Sequence, residues 1–126
     1  MIFGIGTDLL RIDRVESVYE RFGERFVNKI LMPEEIEQFR RAKQPVRFLA
    51  MRFAAKEAIV KAMGTGFAHG MGIKDSGVKP NPLGRHDIIV SERGKKKCAE
   101  LGVGSGFLTL TDEAGLIVAV AVLERA

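Results

Sequence analysis

Asp8, Glu57 and Lys61 are the side chains whose types and spacing point most directly to chemistry. Phe53, Glu57 and Lys61 follow one another at i, i+4, so a helix through them sets a carboxylate and an ammonium on one face, one turn apart. Gly64, Thr65 and Gly66 come next, and such a loop can turn successive backbone N–H groups towards an anion. A hard divalent cation such as magnesium takes one or two carboxylates and completes its shell with water and phosphate oxygens. Asp8 and Glu57 could supply those two carboxylates, with Lys61 set against a phosphate. The chemistry this suits is transfer of a phosphoryl-linked group.

Plainer readings account for the same residues one at a time. A surface Glu-to-Lys helix pair contributes about 0.3–0.5 kcal/mol and needs no ligand. Asp8 after a strand is a favoured helix N-cap. Gly64 is an ordinary glycine helix stop, and the carboxyl end of a helix repels anions by up to about 1 kcal/mol. Lys61 or a metal would have to outweigh that repulsion. The small residues Ala54, Ala55, Ala58 and Ala62 around Glu57 indicate close packing, with the carboxylate held in a cleft.

The elements that must position these groups follow from periodicity and punctuation. Ile2 to Thr7 reads as a short buried strand that ends at Asp8. Ile12, Val15, Val18, Tyr19, Phe22 and Phe26 fall in an arc roughly 120° wide on a helix that Gly23 is able to break in two. Pro33 opens a second helix through Ala42, with Glu34 and Glu35 in its first turn. Val46 to Met63 is rich in good helix formers and has no internal Gly or Pro. Two short strands, Ile73 to Lys79 and Asp87 to Ser91, precede a helix capped by Ser91 that stops at Gly102. Phe107 to Thr111 and Leu116 to Leu123 form a hairpin, the second strand apolar enough to be buried on both faces, one of them at a subunit interface. The fold class expected is α+β.

The first helix gives a separate signal. Arg11, Arg14, Arg21 and Arg25 fall within roughly 80° of one another on a helical wheel, with Asp13, Glu16, Glu20 and Glu24 opposite. Stability alone favours mixing charges, so this segregation suits an acidic helical partner, which arginine forks recognise well. A solvated face is the alternative. Lys95, Lys96 and Lys97 point in different directions on a helix and are assigned no role. His69 and His86 have no Ser or Cys arrangement that would make a triad, and the single cysteine, Cys98, is read as structural.

At 126 residues the chain is expected to form a single domain, 1–126. No apolar run approaches the length of a membrane span, and MIFGIGTDLL lacks a basic n-region, so membrane insertion and secretion are not expected and a cytoplasmic setting is. The net charge of +4 and pI near 9.5 leave a basic nucleic-acid-binding module as the rival. That rival calls for aromatic stacking residues, yet there is no Trp and one Tyr, Tyr19.

GIGTDLLRIDRVE from Gly4 to Glu16, followed by RFAAKEAIVKAMGTG from Arg52 to Gly66, resembles the paired signature of the holo-acyl-carrier-protein synthases. These form the small bacterial class of 4′-phosphopantetheinyl transferase. The resemblance implies that Asp8 and Glu57 bind magnesium with the pyrophosphate of coenzyme A, and that Lys61 and the Gly64–Thr65–Gly66 loop steady its phosphates. It implies phosphopantetheine transfer to a serine of acyl carrier protein for fatty acid biosynthesis, with Glu57 or a metal-bound hydroxide taking the serine proton. It implies, too, that Arg14, and with it Arg11, Arg21 and Arg25, meets the carrier protein, and that the enzyme is a homotrimer with sites between subunits. No nucleic acid or membrane partner is implied. Two segments depart from the family pattern: Gly84-Arg85-His86 stands where Gly-Lys-Pro is frequent, and Thr111-Asp112-Glu113 where Ser or Thr followed by His is frequent.

Overall fold

The longest helix forms where good helix formers run uninterrupted between Pro45 and Gly64, and the rest of the chain is arranged around it. The computed structural model describes residues 1–126. Its elements in order are β1 (Ile2–Arg11), α1 (Ile12–Phe22), α2 (Glu24–Ile30), α3 (Pro33–Arg40), α4 (Pro45–Met63), β2 (Ser76–Pro80), β3 (His86–Val90), α5 (Glu92–Leu101), β4 (Val103–Glu113) and β5 (Leu116–Arg125). The five strands make one antiparallel sheet in the order β1-β5-β4-β3-β2. This is the α+β class expected, with α4 lying on one face of the sheet.

Pro45 occupies the first turn of α4, and Gly64 ends it in a left-handed conformation at φ 81°. Twelve of its 19 residues are buried, because α4 is enclosed by the sheet on one side and by the other helices around the rest. Contact with β1 is unusually close. A methyl group added at Gly4 would collide with the Ala62 carbonyl, and one at Gly6 with the Ala58 carbonyl. The alanines of α4 and the glycines of β1 are therefore two halves of one interface, and Asp8 is carried in on it.

Several expectations are corrected. β1 continues past Asp8 to Arg11, because β5 pairs with it residue by residue as far as Arg11 opposite Leu116. As expected, Gly23, at φ 54°, separates α1 from α2, and the apolar stripe is unevenly covered: Val15 is buried, whereas Phe22 is 42% exposed. Ile73 to Asp75 form a turn ahead of β2. β5 is covered on one face only: Ile117, Ala119, Ala121 and Leu123 are buried, while Val118 between them is 40% exposed. The cap on α5 is as expected, Ser91 Oγ accepting from the Gly94 amide at 2.9 Å.

Candidate active site

Strand alternation decides where Asp8 points. Gly6, Asp8 and Leu10 stand opposite the buried Ala121, Ala119 and Ile117, so they share the face that meets α4. Asp8 is consequently a mid-strand residue and not a helix cap; the N-cap of α1 is Arg11, which makes no side-chain capping bond. From α4, Lys61 Nζ donates to Asp8 Oδ1 at 3.1 Å and to the Thr7 carbonyl at 3.1 Å. The expected i, i+4 pairing of Lys61 with Glu57 is replaced by this bond across to the strand, which leaves the Glu57 carboxylate to the adjoining cavity.

That cavity, of about 390 Å³, is lined by Asp8, Glu57, Arg14, Val15, Phe26 and Phe53 among others. Burial pushes the Glu57 carboxyl above its ordinary range; the charge of Asp8 acts in the same direction and Lys61 opposes them. Two carboxylates that repel in a half-apolar cleft are relieved by a cation between them, and hard oxygen donors suit magnesium. No group of three or more potential metal ligands is present; Asp8 and Glu57 are the two carboxylates at this cavity that could hold magnesium, with water and phosphate oxygens completing its shell. The residues present fit that ion.

The loop after α4 differs from the anion nest envisaged. The amides of Gly64, Thr65 and Gly66 all donate to the Val60 carbonyl, at 3.1, 3.2 and 3.2 Å. They close the helix instead of facing outward. Gly64 and Gly66 are required by their positive φ of 81° and 59°, and nothing lies within 4 Å of an added Cβ at either, so the loop surface is open.

The arginines are divided. Arg14 reaches the Asp8–Glu57 cavity. Arg11 ends β1 and is paired with Asp13 at 2.6 Å. Arg21 and Arg25 sit on either side of Gly23 with their guanidiniums 5.2 and 6.0 Å from the Phe22 ring. Because Gly23 resets the helical phase, a single four-arginine face does not form; Arg21 and Arg25 flank an exposed aromatic ring. Away from the cavity, Lys95 and Lys97 pair with Glu92 and Glu100, and Tyr19 packs edge-on to Phe39 at 6.2 Å, so neither offers a stacking groove for nucleic acid. Burial pushes the Cys98 thiol up, consistent with an unreactive residue.

Both departures from the family pattern have local consequences. Asp112 accepts a forked pair of bonds from Arg47, at 2.8 and 2.7 Å, fastening the end of β4 to the first turn of α4. His86 begins β3 with Nδ1 buried and without a partner, and burial, helped by the charge of Arg52, pulls its imidazole down from the usual range. Sequence reasoning missed Arg47 altogether, since no periodic pattern links it to a residue 65 positions away. It also left Lys56 without a task, although Lys56 is fully buried and its partner Glu35 is too.

Comparison with known proteins agrees with the fold. A model of the 4′-phosphopantetheinyl transferase superfamily matches residues 4–121, and the chain belongs to that superfamily. Within it the relatives are holo-acyl-carrier-protein synthases. The synthase of Vibrio cholerae serotype O1 is 43% identical over 125 residues, 99% of each chain. The crystal structure of the synthase from Neisseria meningitidis superposes with a TM-score of 0.95 at 37% identity, covering 99% of this chain and 100% of that one. The Helicobacter pylori synthase, solved in complex with coenzyme A, gives a TM-score of 0.83 at 28% identity over 95% of this chain and 99% of its own.

Proposed function

We propose that the chain, acting as one domain over residues 1–126, is a holo-acyl-carrier-protein synthase. It transfers 4′-phosphopantetheine from coenzyme A to a serine of apo acyl carrier protein and so supplies fatty acid biosynthesis. The observation that carries this reading is that Asp8 of β1 and Glu57 of α4 line one cavity, with Lys61 bonded to Asp8, in a chain 43% identical to such a synthase along nearly its whole length.

In the reaction the serine oxygen forms a bond to the β-phosphorus of coenzyme A. The bond from that phosphorus to the bridging oxygen breaks, and adenosine 3′,5′-bisphosphate departs with the electron pair. Asp8 and Glu57 would hold magnesium, which when bound supplies Lewis-acid stabilisation of charge on the phosphate oxygens. Lys61, already directed at Asp8 and half exposed, is placed to add a point charge to those oxygens. Glu57, which lines the cavity, is placed to accept the serine proton. Arg14, beside the cavity, is the arginine best placed to orient the acidic carrier protein, with Arg21, Arg25 and Arg11 further out. The Gly64–Thr65–Gly66 loop would contribute an open surface to coenzyme A, since its amides are already engaged.

A homotrimer is supported by the bare apolar face of β1, β5 and β4. A cytoplasmic setting suits the substrates, and no helix is long and apolar enough to cross a membrane.

The test is incubation with coenzyme A, apo carrier protein and magnesium, followed by mass spectrometry of the carrier protein. The expected result is one added phosphopantetheine, and none when magnesium is chelated before the reaction. Absence of transfer by folded protein overturns the reading.

A further inference from the structure

Sealed inside the molecule, away from the cavity, is a charged cluster that the reaction does not use. Lys56 Nζ donates to Glu35 Oε1 at 2.6 Å and to the Ser76 carbonyl, and both side chains are fully buried. Glu35 also accepts from the Met32 amide at 3.1 Å and the Val78 amide at 3.0 Å. Arg52, one turn earlier on α4, lies 3.7 Å from Glu35 Oε2 and donates to Gln38 Oε1 at 2.9 Å; Gln38 in turn donates to the Val78 carbonyl at 3.2 Å. Two successive turns of α4 are thereby tied to α3 and β2 by directional bonds.

We infer that the Glu35–Lys56 pair, with Arg52 and Gln38 beside it, is a positioning device for Glu57, setting the rotation and axial placement of α4 at the residue next to that carboxylate. The inference rests on the reading of Glu57 as a cation ligand. Where α4 meets β1, Ala58 and Ala62 rest on Gly6 and Gly4, a contact that sets how closely helix and strand approach but supplies no directional bond. Directional polar contacts key the helix against sliding or turning. Stability does not explain the cluster, because well-packed apolar replacements of buried ion pairs are often neutral or stabilising. Lys56 and Glu57 are consecutive and so lie about 100° apart around the helix, and a rotation that moved one would move the other. Gly77 shows how tightly the device is built: an added Cβ there would sit 2.7 Å from Glu35 Cδ and 2.7 Å from Met32 Sδ.

Two variants test this. Gly77→Ala keeps every charge and pushes Glu35 aside. Glu35→Gln combined with Lys56→Met removes both charges together and leaves Arg52 its bond to Gln38. Both are compared with the parent by circular dichroism and thermal melting for folding. The probe is Mn²⁺ alone, followed by its electron paramagnetic resonance signal, with Glu57→Gln marking the binding that belongs to the site. The expected signature in each folded variant is Mn²⁺ affinity and kcat both lower by about 10-fold, as for groups that orient metal ligands, with KM for the carrier protein unchanged. A folded variant that keeps the parent's Mn²⁺ affinity and kcat overturns the inference and leaves the proposed function standing. A parent without Mn²⁺ binding sensitive to Glu57→Gln overturns the reading of Glu57 as a cation ligand and this inference with it, while transfer by that parent leaves the proposed activity standing.

Discussion

Glu57 is held where its charge is least comfortable: burial and the Asp8 carboxylate both favour its protonated form. The sign of the consequence follows from linkage. A carboxyl that binds its proton more tightly folded than unfolded costs stability as pH rises from the ordinary glutamate value, about 4.3, through the raised folded-state value. Below that window both states are protonated and the cost vanishes. Glu57→Gln, measured without divalent cations, is therefore expected to melt higher than the parent at pH 8 and at the parent's temperature at pH 3.5 (glutamine matching the protonated carboxyl there). Magnesium should raise the parent's melting temperature and leave the variant's unchanged. A variant less stable than the parent at pH 8 would show that Glu57 serves the fold instead of a cation. At this scale the sequence named Asp8, Glu57 and Lys61 but paired them wrongly: Lys61 bonds across to Asp8, a choice made by the strand on which Asp8 lies.

At the scale of elements, the site exists because β1 lies against the backbone of α4. Gly6 is the tightest point, where an added methyl would meet the Ala58 carbonyl and the Ala62 amide nitrogen, neither able to swing aside as a side-chain end can. Gly6→Ala is expected to destabilise by about 1–3 kcal/mol through overpacking. In a chain of this size that lowers the melting temperature by roughly 3–12 °C. Activity should fall further than stability explains, since β1 carries Asp8 away from Lys61 and Glu57. Melting and kcat measured together check this; a fully active Gly6→Ala enzyme would mean that the strand-to-helix distance does not matter. The helix boundaries were legible in Pro33, Pro45, Gly64 and Ser91, each acting through its own backbone or side-chain chemistry. The extent of β1 was not, because pairing with β5 and not local sequence carries it to Arg11.

Across the whole molecule, one face of the sheet is covered by α4 and the other is bare. Ile5, Leu9, Phe107 and Val118, between 40% and 67% exposed, come from three adjacent strands and share this outer face. An apolar face of this kind on a sheet marks an association site. The parent is expected to sediment as a trimer of its 13.9 kDa chain, and Val118→Asp, which places a charge on the middle strand of that face, as a folded monomer. Sedimentation velocity decides it, and a monomeric parent would overturn the trimer. Transfer activity should be lost with assembly if the sites are shared between subunits.

What the sequence by itself determined is the family, the α+β class, the long helix and the three side chains fit for phosphate chemistry, because motif spacing, period and punctuation are written locally. The Glu35–Lys56 cluster, the Arg47–Asp112 fork, the division of the arginines at Gly23 and the engagement of the Gly64 to Gly66 amides were decided by tertiary structure. Each depends on which groups the packed chain brings within a hydrogen bond of one another or on how its backbone turns. The two carboxylates show both sides of this: their identities were legible from residue type, but their meeting depends on glycines in β1 that let a strand rest directly on a helix 50 residues away.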